Sequence, residues 1–176
     1  IIQPGGLHLD FSGIAKGLAV DLVAAALEEE GAQSFLVEIG GELKGNGVKA
    51  DGSPWFVELE TPPAAVAPGR LLLALHGCAV ATSGDYRRTR TVGGRRIAHT
   101  IDPATGEPLG AEAPAAVSVV HASCMTADGL ATALTVLGLE AGLAFAARHD
   151  IAARFLIREG EALSERLTPA LAAMLD

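Results

Sequence analysis

The sequence predicts an α+β fold, with a mostly antiparallel sheet packed against helices. Several extended runs follow one another between helical stretches, instead of alternating strictly with them. Two extended runs flank Gly93-Gly94 within 86–101, the pattern of a tight hairpin. The chain has 176 residues and is 49% hydrophobic, enough for a single domain over 1–176 with one sizeable core.

The elements follow in order. "LHLDF" (7–11) alternates like a short strand, and Ser12 suits an N-cap for the apolar-periodic helix that Gly31 ends. "SFLVEIG" (34–40) is a β-branched and aromatic strand, and "GGELKGNG" turns into another. "WFVELE" (55–60) alternates, "PPAAVAPG" is a loop, and 70–84 reads as one or two strands around Gly77. In the hairpin, Arg87, Arg88, Arg90, Arg95 and Arg96 read as a solvated sheet face. "AAVSVVHA" (115–122) is a strand. Ser123 or Thr126 then caps a helix to Gly138, and a second helix spans 139–149. A strand over 152–159, a turn at Gly160 and a short helix over 168–175 finish the chain.

Composition narrows function. The net charge of −8 and the lack of a basic run exclude a nucleic-acid partner. Charges or glycines interrupt each apolar run, so none is expected to reach membrane-spanning length. Cys78 and Cys124 lack CxxC spacing and read as buried, reduced thiols. Zinc has no HExxH or cysteine cluster to bind. The chain opens on Ile1 in structured-looking sequence, so further sequence is expected upstream.

Four stretches have the residue types for chemistry. In "DFSGIAKGLAVD", a helix start beside Lys16 suits an anion, with Asp21 further along the helix. The same residues fit a capped amphipathic helix. In "ATSGDY", Thr82, Ser83 and Asp85 around Gly84 suit ligand hydrogen bonds or an ordinary turn. In "TADGLATAL", Asp128 and Thr132 are four apart and share one helix face. They would offer hard oxygen ligands for Mg²⁺. Alternatively, Asp128 only favours the helix start and Thr132 back-bonds to the chain. In "HTIDPATG", Pro103 extends Asp102 and Gly106 closes a turn, placing His99 and Asp102 at a strand end. His8, His76, His121 and His149 lack such company and read as structural or exposed.

Together with "VEIGGEL" and Pro54-Trp55, these motifs occur in an order that resembles the ApbE family, the FAD:protein FMN transferases once described as thiamine-biosynthesis lipoproteins. The resemblance implies a T-fold-like α+β architecture. It implies an enzyme that splits FAD with Mg²⁺, attaches FMN to a threonine or serine hydroxyl of a redox-complex subunit, and releases AMP. Some members hydrolyse FAD without transfer, and a flavin-binding module without turnover is a third reading. By resemblance, Asp128, Thr132 and the carbonyl of Ala15 would hold the metal. Lys16 and Asp21 would contact the nucleotide, and Thr82, Ser83 and Gly84 the flavin and phosphate. His99 would act on the acceptor hydroxyl, supported by Asp102 and Thr105. The family commonly has glycine where Ser12 stands and aspartate where Glu42 stands. Its N-terminal portion, with part of the flavin and adenine site, is expected ahead of Ile1. A periplasmic or cell-envelope location with a lipoprotein anchor there is also expected.

Overall fold

The computed structural model describes residues 5–6, 9–64, 66–86, 89–92 and 95–175. Helix α1 (Ala15–Glu29) comes first. The expected strand over 7–11 falls partly outside the described residues, and residues 9–11 are not a strand. Ser12 is not the N-cap. Its N–H is taken by Asp10 Oδ1 at 2.7 Å, and the Phe11 carbonyl accepts the N–H groups of Ile14 and Ala15. The helix therefore starts at an Ile14 cap with no side-chain acceptor. Its early N–H groups must find partners elsewhere.

The main sheet has six antiparallel strands. They are β1 (Phe35–Ile39), β2 (Glu42–Asn46), β5 (Cys78–Gly84), β8 (Ala116–His121), β9 (Ala152–Glu159) and β10 (Ala162–Leu167), in the order β1-β2-β5-β8-β9-β10. The β1–β2 hairpin pairs Ile39 with Glu42, leaving Gly40 and Gly41 as its loop. Their φ values of 64° and 99° are those a two-residue hairpin turn needs from glycine. β10 is an addition to the elements expected from sequence. "ALSERL" alternates weakly, and pairing with β9 makes it a strand.

One face of this sheet carries helices. α2 (Cys124–Arg148) lays Ala127, Ala131, Leu134 and Ala146 on Ala81, Val117, Val119, Ala153 and Phe155. α1 buries Val20 and Ala24 against Phe35, Val37, Ala79 and Cys124. The opposite face is covered by the ribbon of β3 (Trp55–Glu58) and β4 (Leu72–Leu75) together with α3 (Pro169–Ala172). There Val57, Leu59, Leu73, Leu75 and Leu171 meet Val80, Val120 and Ala152. The expected α+β, largely antiparallel architecture is the one observed.

α2 corrects the expectation that no apolar run reaches membrane-spanning length. Its 25 residues have a mean hydropathy of 1.7 in the richest window. Glycines interrupt a run visually without making it polar. In the fold this helix forms core with the sheet. Its two expected halves meet at Gly138, whose φ of 76° breaks the helical path. The second ribbon, β6 (Thr89–Val92) with β7 (Arg95–Ala98), confirms the hairpin. Its Gly93-Gly94 turn, Arg87, Arg88 and the side chains of Arg90, Arg95 and Arg96 lie outside the described residues, as does His8. Cys124 is buried as expected, whereas Cys78 is only half-buried. His76, His121 and His149 are exposed.

Candidate functional site

The site forms where the starts of α1 and α2 cross. Gly17 permits the crossing. A Cβ on it would sit 2.7 Å from Met125 Cα and closer still to the Cys124 carbonyl. At this contact Asp128 Oδ2 accepts the Gly17 N–H at 3.0 Å. Asp128 thus supplies from α2 the acceptor that α1 lacks at its own N-cap. One turn along α2, Thr132 faces the same segment. A Cβ on Gly13 would lie 3.4 Å from Thr132 Oγ1. Ala15 lies between Gly13 and Gly17 at the first position of α1. The expectation that Asp128 and Thr132 share one face is met, and that face looks onto the stretch holding Ala15.

Asp128 is 5% exposed. Burial pushes its carboxyl above the usual carboxylate range, and the Gly17 N–H and Lys16 only partly oppose this. A buried anion with one hydrogen bond is under-compensated. A carboxylate, a hydroxyl and a nearby backbone carbonyl are hard oxygen donors of the kind Mg²⁺ accepts, with water and phosphate completing its shell. Among the described residues no cluster of three or more His, Cys, Asp or Glu forms a metal site. The donor set therefore fits a hard cation shared with a ligand and does not fit a closed protein cage.

Lys16 and Asp21 are treated differently by the fold. Lys16 pairs with Glu42, which is 1% exposed. Burial raises the Glu42 carboxyl, Lys16 opposes this, and the Asp128 charge adds to the rise. Asp21 turns towards α2. It accepts Ser123 Oγ at 2.8 Å, the N–H groups of Cys124 and Met125 at 3.0 Å each, and Lys44 Nζ at 2.9 Å. Burial alone would raise its carboxyl, but these donors outweigh that and bring it down to about 2. Ser123 itself caps α2 through the Thr126 N–H at 3.2 Å. Behind this junction, burial and then the neighbouring carboxylates push the Cys124 thiol up to about 12, so it is inert at neutral pH.

Thr82, Ser83 and Gly84 end strand β5. Thr82 Oγ1 and Ser118 Oγ are 2.8 Å apart across the strands, so Ser118 joins this group although nothing in its own segment marked it. Asp85 is buried and paired with Arg158. His99 follows β7 directly and is exposed. Among the described residues no hydrogen bond joins it to Asp102. Asp102 Oδ1 accepts the Ala104 N–H at 2.8 Å, its carbonyl accepts the Gly106 N–H at 2.8 Å, and Thr105 Oγ1 accepts the Glu107 N–H at 3.2 Å. The carboxylate and hydroxyl are used to close the turn. No described contact links this loop to Asp128 or Thr132.

With this geometry in view, the comparisons with known proteins agree on one family. The model of the ApbE family matches residues 1–155. An FAD:protein FMN transferase of Vibrio cholerae is 40% identical over 159 residues, which cover 90% of this chain and 47% of that protein. One from Haemophilus influenzae is 40% identical over 153 residues, 86% of this chain and 44% of that protein. Among solved structures, the Pseudomonas stutzeri flavinyl transferase ApbE in its apo form superposes with a TM-score of 0.85 at 48% identity, covering 96% of this chain and 52% of that one. The ApbE protein of Thermotoga maritima gives 0.80 at 28% identity, covering 97% and 54%. The chain spans about half the length of the curated relatives it matches.

Proposed function

The chain belongs to the ApbE family, and from that premise we propose that it carries the pyrophosphate-splitting site of an Mg²⁺-dependent FAD:protein FMN transferase. The observation that carries this reading is the under-compensated Asp128 carboxylate, set one turn from Thr132 against the start of α1. Asp128, Thr132 and the Ala15 carbonyl would hold Mg²⁺, which when bound supplies neutralising charge at the pyrophosphate.

The chain's own residues do the rest. Lys16 sets a second positive charge beside the helix start, where phosphate is favoured. Thr82, Ser83 and the Gly84 backbone offer hydrogen bonds to the flavin phosphate. An acceptor threonine or serine hydroxyl bonds to the phosphorus on the FMN side, and the bond from that phosphorus to the AMP phosphate breaks. The AMP phosphate leaves with the electron pair, and the hydroxyl proton passes to His99, whose exposed place at a strand end suits a base that meets a partner protein. Asp102 and Thr105 shape its loop. The acceptor is a subunit of a redox complex.

Incubation with FAD, Mg²⁺ and a threonine-containing acceptor peptide is expected to give a fluorescent covalent adduct and free AMP in equal amounts. His99→Asn is expected to remove the adduct while FAD still gives FMN and AMP. Absence of both adduct and AMP defeats the proposal. Free FMN with no adduct favours a second reading, FAD hydrolysis alone. The engagement of Asp102 in its own turn supports that alternative, since no carboxylate hydrogen-bonds His99 among the described residues.

A further inference from the structure

Glu42 is the most buried carboxylate among the described residues, at 1% exposure. Its Oε1 receives Lys16 Nζ, while its Oε2 is sealed from solvent with no hydrogen-bond partner among the described residues. Burying the Glu42 end of this pair carries a desolvation cost that an apolar residue of similar size would avoid. The pair therefore calls for another account, and its position supplies one.

Lys16 is bonded directly to Gly17, whose N–H rests on Asp128 Oδ2 at 3.0 Å. The lysine thus springs from the chain beside a carboxylate that has one hydrogen bond among the described residues. Its flexible four-carbon stem and ammonium would be drawn to that anion. Instead the stem runs under the β1–β2 hairpin to Glu42, from where its charge still acts on Asp128 without a hydrogen bond to it among the described residues. A Cβ on Gly40 would lie 3.2 Å from Lys16 Cδ and 3.7 Å from Glu42 Oε2. The glycine turn roofs the stem, and Glu42 receives its end.

We propose that Glu42 is a positioning residue that holds the Lys16 ammonium away from Asp128 and so keeps that carboxylate open for a divalent cation. This rests on the reading that Asp128 holds such a cation. Glu42 acts as a counter-ion that cannot follow the lysine outward, because it is locked in the sheet. Lys16 itself is 44% exposed and has room to move. Without Glu42 the ammonium would fall onto Asp128 and fill the cation's place.

The test uses Mn²⁺ alone as the probe, titrated into the chain without flavin and read from the free-ion electron paramagnetic resonance signal. Glu42→Gln is expected to weaken Mn²⁺ binding about tenfold, the scale set by one pKa unit of electrostatic coupling. Glu42→Asp, which keeps the charge, is expected to retain most of the affinity. The double variant Glu42→Gln with Lys16→Met is expected to recover it, since the competitor is gone. Equal affinity of E42Q and the unchanged chain overturns the inference. So does a double variant that binds no better than E42Q, because the loss would then be structural. Should E42Q fail to fold, Lys16→Met alone decides: binding at least as tight as the unchanged chain supports the inference, and weaker binding overturns it. An unchanged chain that binds no Mn²⁺ overturns the cation reading, and this inference with it.

Discussion

Asp21 and Asp128 join the same two helices in opposite directions. Asp21 reaches from α1 to the N–H groups that open α2, and Asp128 reaches from α2 to an N–H that opens α1. Both exploit the unpaired donors of a helix start. Asp21 is saturated by two backbone N–H groups, a hydroxyl and Lys44, and its carboxyl falls to about 2. Asp128 is buried, with one N–H among the described residues and the nearby Lys16 opposing, and its carboxyl rises. Four donors from the fold answer the charge of Asp21, whereas among the described residues one N–H and the nearby Lys16 answer that of Asp128.

Substitutions can break that contrast, starting with the largest effect. Asp128→Asn is expected to lower Mg²⁺-dependent FAD turnover by at least about 100-fold, since a bound metal supplies several kcal/mol at the transition state. Its melting temperature should hold or rise, because the amide still accepts the Gly17 N–H and the fold no longer buries a charge. Full turnover in this variant would remove Asp128 from the site.

Gly17→Ala is next. Its methyl would collide with the Cys124 carbonyl and Met125 Cα, so the helices must separate. A loss of about 2–3 kcal/mol in denaturant unfolding is expected, outweighing the gain of about 1 kcal/mol in helix propensity. A more stable variant would show that the crossing is loose.

Asp21→Ala is expected to cost about 2 kcal/mol by loss of the acceptor for the Cys124 and Met125 N–H groups and of the Lys44 pair. The acid limb sharpens this. Asp21 titrates lower in the folded chain than in the unfolded one, where 3.8 is the ordinary value. The unfolded chain therefore binds more protons as the medium acidifies, and stability falls as pH drops from about 4 to about 2. In the variant that part of the acid loss should vanish. An unchanged acid profile would show that Asp21 is not the group responsible.

The smallest effect is expected at the His99 loop. Asp102→Ala removes one acceptor in a turn, about 1 kcal/mol, so transfer should stay within about tenfold of the starting chain. A fall as deep as that of the His99 variant would make Asp102 its functional partner after all.

Several of these placements were readable without coordinates and several were not. The Asp128–Thr132 pair follows from helical spacing, which fixes a shared face once a helix forms. The Ser12 cap failed because the Phe11 carbonyl takes the Ile14 and Ala15 N–H groups that open the helix. Asp21 had no local mark of its place, since three of its four donors lie 102 to 104 positions along the chain and the fourth, Lys44, lies 23 away. Glu42 could be noted only as a charged residue after two glycines. Its burial depends on the β1–β2 hairpin meeting α1.

What the sequence by itself determined is local and periodic. It set most of the extended runs and several of their turns, the helical faces, the break at Gly138, and the ordered motifs that mark the family. Hydrogen-bonding period and backbone sterics act over a few residues, so a single chain displays them. Only the tertiary structure decided which of two similar aspartates is satisfied. That depends on how many donors distant segments bring to each carboxylate and how much water they exclude.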